Sequence, residues 1–406
     1  MRGDWFKDAR FGIFIHWGPY SLHGRCVWAR YRERMPAAEY EDLARRFDAR
    51  NYRPDEWVDL ALEAGARYMV LCTRQHPGFS LFASEASDFT APNYGPKRDL
   101  VAEYVEACRR RGMRIGFYYS LLDWRFPAYF AGPRKDPKGW AELLDCVRTQ
   151  IRELCTNYGK IDVLWYDGAW PWKPEDWKSA ELNATVRELQ PEILINNRSG
   201  LAEDFGTPEQ HLGGSPRGGM WESCMTMNDH WAYCPADRNW KSVRELIHML
   251  VQCTAYGGNL LLDVGPRPDG RFPRAAARRL TGIGRWMKRN SEAVYGNGRC
   301  PLNRVEGASL KEDMLLSKQG LTTAKGSTIH LHVFHWPGRR ITIGNIKSRV
   351  ISARMIATDR AVGFRQEGDR LSLQNLPARA PDPYDTVIAL DLEGEPEGYP
   401  DFRHIP

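Results

Sequence analysis

The strongest constraint on this chain is a unit that recurs along most of its length: a helix, a glycine or proline that stops it, and a short apolar strand ending in polar or aromatic residues. Pro54, Asp55 and Glu56 open one such helix, which runs through Ala64 to Gly65. Proline and acids suit a first helical turn, and glycine suits the position just past the last. A strand follows from Tyr68 to Thr73 and ends at Arg74, Gln75 and His76. The next copy is a helix over Leu100 to Arg110, Gly112, and a strand from Met113 to Tyr119 that leads to Ser120, Asp123 and Trp124. In the third, Trp140 to Asn157 carries the helical stripe Leu143, Leu144, Val147, Ile151 and Leu154, and Gly159 precedes the strand Ile161–Tyr166. A fourth runs from Trp177 to Leu189 as helix, then Pro191, then Glu192 to Ile195 as strand, ending in Asn196, Asn197 and Arg198. An earlier apolar run, Phe11 to Gly18, has His16 and Trp17 at its tip.

Helices alternating with short buried strands imply parallel strands joined by crossover helices, in either an open doubly wound sheet or a closed barrel. No glycine-rich phosphate loop follows any strand, and every strand ends in polar or aromatic residues. Both facts favour an α/β fold of the (β/α)8 barrel type, whose active site is assembled at the carboxyl ends of its strands. Ser199 to Asn239, rich in Gly, Pro and Trp with weak periodicity, reads as a long loop region over the barrel mouth. Helix Val243–Ala255 and strand Asn259–Val264 resume the pattern, and Thr281–Val294 reads as the last helix. Near Gly296 to Pro301 the composition shifts. Beyond it, short alternating segments (Thr328–Phe334, Arg340–Ile343, Ser348–Ile356, Leu371–Leu373, Asp385–Leu392) separated by Gly, Pro, Asp and Asn have the pattern of an antiparallel β-sandwich. The expected organisation is a catalytic barrel over residues 1–296 and a supporting sandwich over 297–406.

Composition narrows the function. With 57 basic and 51 acidic residues the net charge is only +6, and the basic residues are scattered in helix-like segments, so no nucleic-acid partner is expected. Fifteen Trp and 17 Tyr exceed the needs of a core and supply stacking faces for half-apolar ligands such as sugars. Nine cysteines without a Cys-x-x-Cys pair indicate neither a zinc knuckle nor a disulfide framework, and fit a reduced compartment. No spacing of histidines supplies three metal ligands, so no metal and no cofactor is expected. The amino terminus has no apolar signal core and no run of 18 apolar residues occurs, so neither a secretion signal nor a membrane span is expected. That places the protein in the cytoplasm if the chain is full length, and in the periplasm or outside the cell if a leader has been removed. A homo-oligomer is left open.

Chemistry concentrates in Gly159 to Trp170. The strand there delivers Asp167 at its carboxyl end, and Gly168 lets the backbone turn sharply just after it. Trp165 and Asp167, two apart in a strand, share one face, so an indole stands beside a carboxylate. An isolated Asp-Gly pair is ordinarily a surface turn. What changes that reading is the company it keeps.

Trp5-Phe-Lys-Asp-Ala-Arg-Phe-Gly-Ile-Phe-Ile-His-Trp-Gly18 closely resembles the opening motif of the retaining α-L-fucosidases of glycoside hydrolase family 29. Glu56-Trp57 through Gly65-Ala-Arg-Tyr68, Phe117-Tyr-Tyr-Ser120 with Asp123-Trp124, Leu164-Trp-Tyr-Asp-Gly168, Trp221-Glu222 and Asn259-Leu-Leu-Leu-Asp-Val-Gly-Pro266 follow in the family's order, as does His332-Val-Phe-His-Trp-Pro337. The resemblance covers nearly the whole chain. It implies a retaining exo-glycosidase that hydrolyses terminal α-L-fucosyl residues, with a fucosylated glycan or related glycoside as substrate. By resemblance Asp167 is the nucleophile and Glu209, in Thr207-Pro-Glu-Gln-His211, the acid/base, with Glu222 as its rival. Arg198 corresponds to the family's sugar-contacting Arg. His16, Trp17, Gln75, His76, Tyr119, Trp165, Trp221 and Glu222 complete the expected substrate site.

Retention makes the same demand independently: one carboxylate attacks the anomeric carbon while another protonates the leaving oxygen, roughly 5 to 5.5 Å apart. A cation such as Arg198 keeps the nucleophile ionised, and the acid needs partial burial. The sequence departs from the family at two places that line the sugar pocket. Gln75-His76-Pro77-Gly78-Phe79 stands for a usual His-His-Asp-Gly-Phe, and Ala29-Arg30-Tyr31 before Arg34-Met35 for a usual Glu-Trp-Tyr, which removes a carboxylate and an indole wall. Asp263 replaces a usual Asn. These changes leave two alternatives beside the fucosidase: the same mechanism on a related sugar, or a catalytically weak carbohydrate-binding barrel.

Overall fold

A computed structural model describes residues 2–213, 219–303 and 320–399. Eight parallel strands, β1 (Phe11–Ile15), β2 (Tyr68–Arg74), β3 (Arg114–Ser120), β4 (Val163–Asp167), β5 (Leu194–Ile195), β6 (Phe205–Gly206), β7 (Met220–Thr226) and β8 (Asn259–Val264), run in the order β5-β4-β3-β2-β1-β8-β7-β6. A parallel bridge between Asn196 and Phe205 joins the two ends, so the sheet closes into a barrel. Helices Pro54–Ala64, Leu100–Arg110, Pro137–Thr156, Ser179–Leu189, Val243–Ala255 and Arg274–Asn290 surround it.

Local chemistry sets the boundaries. Asp99 and Asp136 each accept a backbone N–H at a helix start, and Ser242 with Glu245 forms a capping box ahead of Val243. The last barrel helix begins at Arg274 rather than at Thr281. Ser199–Asn239, expected as a loop region, instead contains β6 and β7, apart from residues 214–218, which lie outside the described residues. A two-residue strand has no period to detect, and Met-Trp-Glu-Ser-Cys-Met-Thr follows a Gly-Pro-rich stretch that reads as loop.

Side-chain alternation divides the barrel into two cores. Phe14, Val70, Cys72, Tyr118, Val163, Trp165, Cys224 and Leu261 point inward, while Ile13, Ile15, Met69, Leu71, Phe117, Tyr119, Leu164 and Tyr166 point out against the helices.

Past the last helix, β9 (Gly298–Arg299), β10 (Gly320–Lys325), β11 (Thr328–Val333), β13 (Val350–Met355), β14 (Arg360–Ala361) and β17 (Thr386–Leu392) form a six-stranded sheet. A three-stranded sheet of β12 (Ile341–Ile343), β15 (Gly363–Glu367) and β16 (Arg370–Gln374) pairs with it around Ile329, Leu331, Leu371, Leu373, Ile388 and Leu390. All these pairings are antiparallel. The sandwich docks on the barrel through Trp286 Nε1, which donates to the Asp385 carbonyl (3.0 Å), and through the Arg289–Asp382 ion pair.

Candidate active site

A cavity of about 130 Å³ opens at the carboxyl ends of the strands, lined by Phe14, His16, Val27, Trp28, Gln75, His76, Tyr118, Trp165, Asp167, Trp170, Glu209, Cys224 and Trp231. It is far smaller than the roughly 300–1,000 Å³ of a drug-sized site and suits a single small ring. Tyr118 and Trp165 stack at 5.7 Å and Phe14 lies 5.2 Å from Trp165, forming an aromatic floor. His16 and Trp231 make one wall, and Trp28, His76 and Trp170 another.

Asp167 ends β4 at the rim. The turn that frees it from the sheet depends on Gly168, whose φ of 76° is left-handed and whose missing Cβ would stand 2.9 Å from Leu122. Tyr118 Oη lies 2.8 Å from Asp167 Oδ2 and equally 2.8 Å from Gln75 Oε1, so its one proton serves either acceptor. Arg198 approaches from the other side: one terminal nitrogen donates to Asp167 Oδ1 at 3.3 Å and the other to Glu209 Oε2 at 2.8 Å. Its guanidinium is anchored by the Thr207 hydroxyl and carbonyl and lies 5.0 Å above the Trp165 ring. Burial works against the Arg198 charge, but Asp167, with Glu209 behind it, outweighs burial and holds the cation above its ordinary range. Glu209 owes its position to an extension of β6: the Cys224 N–H donates to Pro208 O and the Gln210 N–H to Cys224 O, at 3.1 and 3.0 Å.

The two histidines are fixed as neutral or paired groups. Ser120 Oγ donates to Leu122 O (2.7 Å), so it accepts from His76 Nδ1–H (2.8 Å) and leaves Nε2 as an acceptor 3.8 Å from Asp167. Burial, reinforced by the His16 and Arg74 charges, pushes His76 down to about 3. His16 Nδ1 meets Asp263 Oδ1 at 2.7 Å, and burial raises the Asp263 carboxyl against the pull of that partner.

Of the residues expected in the site, the structure brings together His16, Gln75, His76, Trp165, Asp167, Arg198 and Glu209. It does not bring Trp17, Tyr119, Trp221 or Glu222 to the cavity. Trp17 follows the outward parity of β1, packs on Tyr52 and Trp57, and donates to Arg267 O (2.9 Å). Tyr119 also points outward, to Arg74 and to Gln150 at 2.8 Å on helix Pro137–Thr156. Trp221 fills the space left by the missing side chain of Gly258. Glu222 faces inward but one layer too deep: it is 0% exposed and accepts from Trp165 Nε1 (2.7 Å) and Tyr68 Oη (2.5 Å). Burial raises its carboxyl to about 7 despite those two bonds.

The sequence reading omitted Tyr118, Phe14, Val27, Trp28, Trp170, Cys224 and Trp231. Parity could have found Tyr118, because it pairs with Trp165 as Ser120 pairs with Asp167. The Ala29-Arg30 departure is also corrected. Val27 and Trp28 meet the cavity, whereas Arg30 turns away to Pro77 O (2.9 Å) and over Tyr40. The expected loss of an indole wall does not occur, since Trp28 supplies it; the position beside it is apolar Val27. Among the described residues no group of three or more His, Cys, Asp or Glu is placed to hold a metal ion.

Residues 2–292 match the family model described as Alpha-L-fucosidase. The chain is 30% identical to the tissue alpha-L-fucosidase of Mus musculus over 410 residues, covering 92% of this chain and 88% of that protein. Against the human tissue enzyme the identity is 31%, over 82% of this chain and 76% of that one. Among solved structures, alpha-L-fucosidase isoenzyme 1 from Paenibacillus thiaminolyticus superposes with a TM-score of 0.88 at 35% identity, covering 97% of this chain and 99% of that one. A Bacteroides thetaiotaomicron alpha-L-fucosidase of glycoside hydrolase family 29, trapped as a covalent intermediate, gives 0.86 at 26% identity over 96% of this chain and 95% of that one. With the family model matching residues 2–292 and both barrel and sandwich superposed across nearly its whole length, the chain belongs to the α-L-fucosidase family.

Proposed function

We propose that the protein is a retaining exo-α-L-fucosidase in which Asp167 is the nucleophile and Glu209 the general acid/base. The observation that carries this reading is the single Arg198 guanidinium bonded to both carboxylates at the rim of a one-ring cavity. One guanidinium bonded to both holds the two carboxylates at the same rim, where one can attack the anomeric carbon and the other can meet the leaving oxygen. A barrel that merely bound sugar would have no need of both.

In the first step Asp167 attacks the anomeric carbon, the glycosidic bond breaks, and Glu209 gives its proton to the departing oxygen. Esterification removes the Asp167 charge, so Glu209, now a carboxylate, is the remaining anionic partner of Arg198. That is the base form needed to take a proton from the incoming water, which then attacks the same carbon and releases Asp167. Tyr118 Oη can hold Asp167 Oδ2 while Oδ1 faces Arg198. His76 Nε2, His16 and the Gln75 amide supply acceptors and donors for the ring hydroxyls, and the Phe14–Trp165 floor takes the apolar side of the sugar. Glu222 stays below, holding Trp165 from beneath.

Release of L-fucose from α-L-fucosyl fluoride, followed by NMR, tests the proposal. The α-anomer should form first. Initial β-fucose would reject double displacement, and no release would reject the activity. Apolar Val27 and Gln75 in the cavity lining favour weak turnover of simple aryl α-L-fucosides and better turnover of an extended glycan or a sugar with a different pattern of hydroxyls.

A further inference from the structure

Of five well-exposed large apolar side chains among the described residues, three are Trp170 (42%), which lines the cavity, and Tyr31 (54%) and Phe130 (53%), which are joined to its wall through other rings. They belong to one connected run of rings. From His76 in the wall it passes to Trp28 at 5.1 Å, to Trp124 at 5.4 Å and to Tyr31 at 5.7 Å. Phe130 continues it, its ring parallel to Tyr31 within 8° at 6.3 Å between centroids, so the two rings present faces of the same orientation. Both are held from behind. Arg30, next to Tyr31, is tied to Pro77 O, and Tyr129, next to Phe130, donates to Trp170 O at 2.6 Å.

We propose that Tyr31 and Phe130 form an aglycone platform, on which the sugar that carries the fucose, a hexopyranose with an open C–H face, is stacked. This rests on the fucosidase reading. A cavity that admits one ring directs the scissile oxygen outward, so whatever is attached to the fucose must cross the rim, and the aromatic run is continuous with that rim. A pyranose C–H face covers ring carbon while its hydroxyl edge stays in water, which resolves the exposure of apolar surface. A protein partner fits less well. Three half-exposed aromatics present roughly 300 Å², against about 800 Å² per side for a stable interface.

The test uses Tyr31→Ala, Phe130→Ala and the double variant on two probes. One is α-L-fucosyl fluoride, whose leaving group cannot reach the platform. The other is the fastest substrate from a panel of fucosylated galactosides and N-acetylglucosaminides. On the oligosaccharide each single variant should lose about three- to tenfold in kcat/KM, mainly through KM, and the double variant more, while the fluoride changes less than twofold. Equal losses on both probes, or none on either, overturn the platform. So does a double variant that sediments as a smaller species with unchanged kinetics, since the patch is then a subunit interface. Wild-type protein that cleaves the fluoride but no oligosaccharide overturns the platform alone; failure on the fluoride overturns the fucosidase reading itself.

Discussion

Removing Glu209 tests the carboxylate assignment most sharply, because the structure fixes what is left behind. In Glu209→Ala the acid is gone, and general acid catalysis contributes typically 10²–10⁴-fold where the leaving group needs a proton. Arg198 does not relax, since Thr207 still holds it through the hydroxyl at 2.8 Å and the carbonyl at 3.1 Å. Glu209 acts in the first step as a neutral acid, so its removal takes away the proton donor without adding charge opposite the oxocarbenium-like transition state. On an oligosaccharide kcat/KM should fall about 10²–10⁴-fold. With fluoride as leaving group, which needs no proton, the loss should stay below about tenfold.

Azide provides an independent readout of the same variant. In Glu209→Ala it should replace water at the glycosyl-enzyme and give α-L-fucosyl azide, because two inversions have occurred. In Asp167→Gly it should displace the leaving group directly and give the β-azide, after one. Equal losses on fluoride and oligosaccharide, or β-azide from Glu209→Ala, would refute the assignment. So would α-azide from a Glu222→Ala protein whose Glu209 is intact.

Asp167→Asn should abolish turnover on every substrate, since an amide cannot form the glycosyl ester, with the folded state unchanged by circular dichroism. Glu222→Gln should alter stability with a definite pH dependence. The buried carboxyl ionises near 7 when folded and near 4.5 when unfolded, so its contribution is complete below pH 4.5 and is lost as pH rises to 7, by about 3 kcal/mol at most. The stability of wild type minus that of Glu222→Gln, from urea melts, should therefore fall across that interval; a flat difference would show that the group titrates normally. His76, neutral down to about 3, contributes the opposite slope between pH 6.5 and 3, but equally in both proteins, so it cancels. Gly265→Ala should raise KM while sparing the melting temperature more than core variants do, because a Cβ there would lie 2.1 Å from the Ala232 backbone carbon and displace the loop that carries Trp231. Unchanged KM would show that Trp231 does not touch substrate.

The helix–strand units were legible because each carries two signals, a stop residue and a run of buried apolar residues, over enough length for a period to be counted. Helix Leu100–Arg110 and helix Val243–Ala255 match the structure at both ends. Strand β5 was legible although only two residues long, because the helix and Pro191 before it mark its start, whereas β6 has no such marker and is defined by pairing with a neighbour, which no local pattern encodes. The sandwich behaved alike: β11 alternates Ile, His, Leu, His, Val and β17 carries an apolar run, each between flanking turns, whereas Gly363–Glu367 alternates only between half-buried and exposed, so its sequence carries little apolar contrast.

At the site, Trp17 and Tyr119 each lie one step of parity from a neighbour that lines the cavity, Glu222 lies one layer below it, and Trp221 faces outward at that lower level. Tyr118 and Tyr119 are chemically identical, yet one bonds Asp167 and the other Gln150 behind the sheet. Nothing in Phe-Tyr-Tyr-Ser marks the difference, but the alignment of β3 with β4 does, because parallel neighbours must carry the same face inward at Trp165 and Asp167. Glu222 has the right parity and the wrong depth. Two residues further along β7, at Cys224, the strand reaches the cavity, and the segment bridged to Cys224 presents Glu209 there with its side chain 41% exposed. Depth therefore separates the two roles: a carboxylate below the floor can orient Trp165 but cannot meet a leaving oxygen, whereas one at the rim can exchange protons with both substrate and water.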